Sequence, residues 1–132
     1  MDVVGRIKEK LENNRGNVKI KLLKGEKYFN VILKEDGVMV DNLHTQSLLT
    51  WNVFEKTVEL LEQKGGCAVK GDAMGFRLGI GKLPTDSIEG YIAKEVYGKK
   101  IGDSVFRRIT PIVNILIWAG ICENGKGKLL LK

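Results

Sequence analysis

Residues 17–43, NVKIKLLKGEKYFNVILKEDGVMVDNL, contain three short runs in which apolar and polar side chains alternate. A period of two is typical of strands that bury one face against a core. Gly25 lies between the first two runs. Asp36-Gly37 separates the last two, and this pair is a strong hairpin signal because both residues tolerate positive φ. We therefore predict a three-stranded antiparallel meander with strands over residues 17–24, 28–34 and 38–43.

Segments with helical spacing of apolar residues flank this meander. The first predicted helix covers residues 2–14. The second follows a polar loop at residues 44–50 and runs from a Thr50 cap to about Lys64. The apolar stripes consist of Val4, Ile7 and Leu11 in the first helix and of Trp51, Phe54, Val58 and Leu61 in the second. We interpret both stripes, including the two aromatic residues, as core contacts.

Six glycines lie between residues 65 and 81. Cys67–Lys70 and Phe76–Ile80 are candidates for short strands around Gly71-Asp72. No phosphate-loop or dinucleotide-binding glycine pattern follows a strand and opens a helix here. The segment therefore predicts a loop or a distorted hairpin, in which Arg77 could contact a ligand backbone.

Two helices and a hairpin are predicted after Pro84. The first helix begins at Thr85 or Asp86 and ends at Gly98. A second helical segment covers Ser104–Ala119, where Pro111 predicts either a kink or a break with Thr110 as the new cap. Residues 121–131 then form a hairpin that turns at residues 124–127. The chain is predicted to be one α+β domain, with a helix, meander and helix in residues 1–66 and the remainder in residues 67–132.

The chain is basic, with a formal net charge of +6, and its charge is uneven. Residues 1–25 carry seven basic and three acidic side chains. Residues 26–75 carry five basic and eight acidic side chains, and residues 76–132 carry ten basic and five acidic ones. Positive potential at both ends favours a polyanionic partner, although a modest basic excess also serves solubility alone.

Several functional classes lack a sequence signature. Cys67 and Cys122 form no metal-binding pair, and we expect reduced thiols in the core. No signal peptide or membrane span is evident, so we expect a cytoplasmic protein without a membrane partner. No catalytic, metal or cofactor motif is present, and the single histidine, His44, is expected in a solvated loop. A metal-dependent nuclease with Asp41 and either Glu35 or Lys34 is the remaining enzymatic alternative.

The C-terminal half resembles a winged helix-turn-helix. The resemblance rests on the helix Ser87–Tyr97, the turn Gly98–Gly102, the helix Ser104–Ala119 and the hairpin Cys122–Leu131. In such domains the second helix enters the major groove and the hairpin follows the DNA backbone. The resemblance implies a DNA-binding or DNA-associated protein with duplex DNA as its partner. The nucleic-acid-binding residues that it and the basic loops indicate are Arg77, Lys99, Lys100, Ser104, Arg107, Arg108, Lys126 and Lys128.

A second interpretation starts from the segment Ile109–Trp118, which is apolar apart from Thr110 and Asn114. A helix that is apolar on every side is buried in a core or an interface, so only its first turn could enter a DNA groove. The alternative is therefore a non-catalytic oligomeric interaction module, in which this segment forms a homodimer.

Overall fold

The computed structural model describes all residues from Met1 to Lys132 and has four helices and two antiparallel sheets. This confirms the predicted α+β class. The elements in chain order are α1 (Val3–Glu12), β1 (Asn17–Lys21), β2 (Tyr28–Leu33), β3 (Gly37–Val40), β4 (Leu48–Thr50), α2 (Trp51–Gln63), β5 (Cys67–Val69), α3 (Ile88–Glu95), α4 (Ile109–Trp118), β6 (Cys122–Asn124) and β7 (Lys128–Leu131). None of the four helices combines the length and apolar character that crossing a bilayer requires.

The meander is present and has one strand more than predicted. Its order is β1-β2-β3-β4, and β4 lies within the segment predicted as a loop. Three residues are too few to show a period, which explains the missed strand. Gly37 is needed where β3 meets β4, because a Cβ there would lie 2.0 Å from the Leu49 carbonyl oxygen.

One core joins the meander to α1, α2 and α4. The stripe of α1 contains Val3 rather than the predicted Val4, together with Ile7 and Leu11. Phe54 is fully buried, and Trp51 packs against the same core while its indole N–H donates to the Glu35 carbonyl at 2.9 Å. Both aromatic residues are therefore core anchors, as predicted.

The second sheet has the order β5-β7-β6. Its β6–β7 pair is the hairpin predicted for residues 121–131, and β5 pairs with β7 instead of with the predicted strand Phe76–Ile80, which does not form. Gly79 and Gly81 have φ of 82° and 57°, values incompatible with an extended strand. Leu78 is instead buried in a small second cluster with Leu83, Ala93 and Val105.

The last two helices begin later than predicted. Ser87 is the N-cap of α3, and its hydroxyl oxygen accepts the N–H of Gly90 at 3.1 Å. The predicted helix Ser104–Ala119 starts only at Ile109, five residues after Ser104. Pro111 thereby occupies the first turn of α4, where a missing N–H leaves no helical hydrogen bond unmade.

Candidate nucleic-acid interface

An open cleft of about 490 Å³ lies at the N-terminal end of α4, and we refer to it as the main cleft because it holds a cluster of cations. Its lining residues are Leu22, Leu23, Lys24, Lys70, Arg107, Ile109, Thr110, Val113, Asn114, Asn124, Gly125, Lys126 and Gly127. Four of these are cations and none is a carboxylate. None of the four cations forms a salt bridge, since the three ion pairs of the molecule lie elsewhere. The cleft is thus a concentration of uncompensated positive charge.

The four cations come from four separate segments. Lys24 lies in the β1–β2 connection, Lys70 directly follows β5, Lys126 lies in the β6–β7 turn, and Arg107 precedes α4. Pairing of β5 with β7 brings Lys70 and Lys126 together. The backbone N–H of Lys70 donates to the Gly127 carbonyl at 3.0 Å. The tertiary fold therefore creates the cluster.

Lys70 is the most enclosed of these cations. Its ammonium group donates to the Asn124 side-chain oxygen at 2.6 Å. Partial burial lowers the pKa of Lys70 below its usual value, and the positive charge of Lys24 lowers it further. A bound anion would offset both effects, because an opposite charge nearby favours the protonated ammonium.

A side cleft of about 530 Å³ adjoins the main cleft. It is lined by Leu22, Asn42, Leu43, His44, Thr45, Met74, Phe106, Arg107, Arg108, Thr110 and Pro111, again without a carboxylate. Leu22, Arg107 and Thr110 line both clefts. Arg107 is exposed at this shared boundary, and its guanidinium rests 3.1 Å from the sulfur of Met74. The two clefts therefore form one continuous basic surface around Arg107.

The N-terminal donors of α4 are already occupied by an internal anion. The buried Glu89 carboxylate accepts the backbone N–H of Ile109 at 2.9 Å and that of Arg108 at 3.2 Å. Burial raises the pKa of Glu89 to about 7, opposed by these hydrogen bonds and by the charges of Arg108 and Arg107. A free helix terminus would attract phosphate. Here an anion must rely mainly on the side-chain cations.

Arg108 was predicted to face DNA, and this is wrong. The residue is only 3% exposed. Its guanidinium lies 3.8 Å from the ring centroid of Tyr97 and donates to the side-chain oxygen of Gln46. The Tyr97 hydroxyl is buried without a hydrogen-bond partner, and burial raises its pKa. The neighbouring side chains of Arg107 and Arg108 therefore have different surroundings, since the first is exposed and the second is buried in the interior.

The other predicted residues are not all in one place. Arg107 and Lys126 share the main cleft, whereas Lys128 is exposed on β7 opposite Val69 and lines neither cleft. The remaining residues, Arg77, Lys99, Lys100 and Ser104, also lie outside both clefts. The Arg77 guanidinium donates to the Gly102 carbonyl at 3.2 Å, so this group belongs to a second region where the glycine-rich loop meets residues 98–104.

Lys24 and Lys70 were missed by the sequence analysis, although the sequence contains a signal for them. Both directly precede a glycine, as Lys126 does. These glycines, Gly25, Gly71 and Gly127, have φ of 79°, 89° and 69°. Three Lys-Gly pairs at left-handed turns would have identified three of the four cleft cations, although Lys64-Gly65 shares the pattern outside the cleft.

The residues behind the two alternative interpretations have partners within the chain. Asp41 accepts the backbone N–H and the side-chain amide of Asn30 at 2.8 and 2.6 Å, and no group of three His, Cys, Asp or Glu residues is placed to hold a metal ion. The predicted dimer segment Ile109–Trp118 is covered by the monomer's own core, which buries seven of its ten residues.

The Cys67 and Cys122 thiols are free, and burial raises the pKa of Cys122 to about 12.

No protein-family model, curated protein or solved structure matches this chain. The geometry of the two clefts is therefore the basis for a functional conclusion.

Proposed function

We propose that this protein binds nucleic acid, as a DNA-binding or DNA-associated accessory protein, and that the main cleft holds the sugar–phosphate backbone. The observation that carries the proposal is the set of four unpaired cations in a cleft without carboxylates. Like charges are held together here at a cost in electrostatic free energy. Binding of a polyanion would remove that cost and release counterions.

The position of the cleft supports the same conclusion. It lies between the start of α4 and the β6–β7 turn, the two elements that contact DNA in winged helix domains. The order α2, β5, α3, α4, β6, β7 and the pairing of β5 with β7 are consistent with such a domain. Because one fold can serve many functions, the charges in the cleft carry more weight than the fold.

The burial of α4 limits how DNA could be read. Ile109, Pro111, Ile112 and Val113 are buried, and β1 packs against this helix. Most of the helix therefore cannot enter a major groove. Contacts from lysine and arginine to phosphates position a duplex but read no base edges. We expect binding with little dependence on base sequence.

The test is fluorescence anisotropy with a short labelled DNA duplex over a range of salt concentrations. Lys24→Ala combined with Lys126→Ala should weaken binding, and should lower the slope of log K against log salt by roughly 2, because each lost phosphate contact contributes about 0.9. Lys99→Ala combined with Lys100→Ala is the matched control. This control also removes two positive charges, but from a region outside both clefts, and it should change the slope much less.

Two results would overturn the proposal. One is the absence of binding at low salt. The other is an equal loss of affinity in the control variant, since it would mean that net charge rather than the cleft determines binding. A stable dimer in light scattering without nucleic-acid affinity would favour a protein-interaction module instead.

A further inference from the structure

An exposed aromatic side chain lies beside the basic surface. Phe106 is 51% exposed and lines the side cleft, directly before Arg107 in the chain. Met74, which is 74% exposed, lines the same cleft and contacts the Arg107 guanidinium. Neither side chain belongs to the hydrophobic core. Their position on the rim of a cleft makes them available to a ligand.

We propose that the side cleft binds an unpaired nucleic-acid base stacked on Phe106, and that the preferred ligand is therefore single-stranded DNA. This inference rests on the proposed function, because it assumes that the main cleft holds the backbone. Single-strand-binding proteins combine a basic groove with aromatic side chains on which bases stack. Both components meet here at Arg107.

The residues shared by the two clefts connect the proposed backbone site to the proposed base site. Leu22, Arg107 and Thr110 line both clefts, so a phosphate held in the main cleft places the adjoining nucleotide at the mouth of the side cleft. The buried Arg108 guanidinium lies 5.9 Å from the Phe106 ring centroid. This cation–π contact helps to hold the Phe106 ring in place at the side cleft.

The remaining lining of the side cleft fits a base better than an acidic protein segment. Leu43, Met74 and Pro111 supply apolar contacts, while Asn42 and His44 can form hydrogen bonds with the edge of a base. A planar ring with polar edges matches this combination. In a duplex the faces of the bases are covered by their neighbours, so only an unpaired base can stack on Phe106.

The experiment compares three labelled ligands of equal length: oligo-dT, a DNA duplex and an abasic strand. The wild-type protein should bind oligo-dT more tightly than the other two. Phe106→Ala should weaken oligo-dT binding roughly tenfold, within the range measured for lost stacking contacts, and should leave duplex and abasic binding unchanged. Phe106→Tyr should retain the wild-type affinity, since it keeps the stacking ring.

Tyr28→Ala is the matched control, because Tyr28 is 60% exposed but lines neither cleft. It should leave all three affinities unchanged. Equal affinity for oligo-dT and the abasic strand, or an unchanged oligo-dT affinity in Phe106→Ala, would overturn this inference. If Lys24→Ala with Lys126→Ala still weakened binding, the proposed function would survive. If no ligand bound at low salt, the proposed function would fail as well.

Discussion

Arg107 and Arg108 are adjacent in the chain but belong to two regions with opposite electrostatics. Arg108 is buried against Tyr97, and its positive charge acts within the protein by favouring the ionised form of the buried Glu89. Arg107 is exposed among the cations of the main cleft and forms no salt bridge. A buried charge must be compensated within the protein, whereas an exposed cluster can be compensated by a ligand. The first region should therefore govern stability and the second region binding.

The largest effect should come from Arg108→Ala. The substitution removes a buried guanidinium that stacks on Tyr97 and donates to Gln46, together with a positive charge that favours the ionised form of Glu89. Truncating a large buried side chain costs about 2–5 kcal/mol, so we expect the free energy of unfolding to fall by about that amount. Urea denaturation measures it. A loss below about 1 kcal/mol would contradict a structural role for this buried arginine.

The pH dependence of stability should show the next largest effect. Because the pKa of Glu89 rises from 4.5 to about 7 on folding, the folded state binds a proton more tightly than the unfolded state between these values. The free energy of unfolding should therefore decrease as the pH rises from about 4.5 to about 7, by up to about 3 kcal/mol.

Urea denaturation at several pH values tests this, with Glu89→Gln as the comparison. The amide cannot ionise and keeps an oxygen that can accept the Ile109 N–H. The difference in stability between wild type and variant should shift in favour of the variant as the pH rises. A difference that is constant over this range would contradict the assignment to Glu89.

The smallest effect on stability should come from Arg107→Ala. The side chain is exposed and forms no salt bridge, so the free energy of unfolding should change by less than about 0.5 kcal/mol. Affinity for DNA should nevertheless fall roughly tenfold at about 0.1 M salt, because one phosphate contact is lost. A stability loss similar to that of Arg108→Ala would remove the distinction between the two regions.

Local patterns predicted much of the fold but little of the candidate site. The alternation in residues 17–43 and the turn at residues 124–127 identified both hairpin systems, since pairing of nearby strands depends on short-range periodicity and turn residues. The strand β4 and the start of α4 were missed because Leu48–Thr50 is too short to show a period, and because residues 103–108 are held by distant segments such as Leu78.

Sequence patterns were enough to predict the α+β class, the meander and the C-terminal hairpin, and to show that the segment Ile109–Trp118 is apolar enough to be buried. These features follow from periodicity and hydrophobicity along short stretches. The packing of the folded chain brings Lys24, Lys70, Arg107 and Lys126 into one cleft and buries Arg108. The direction of a charged side chain depends on how remote segments pack around it, and no local pattern in the sequence records that packing.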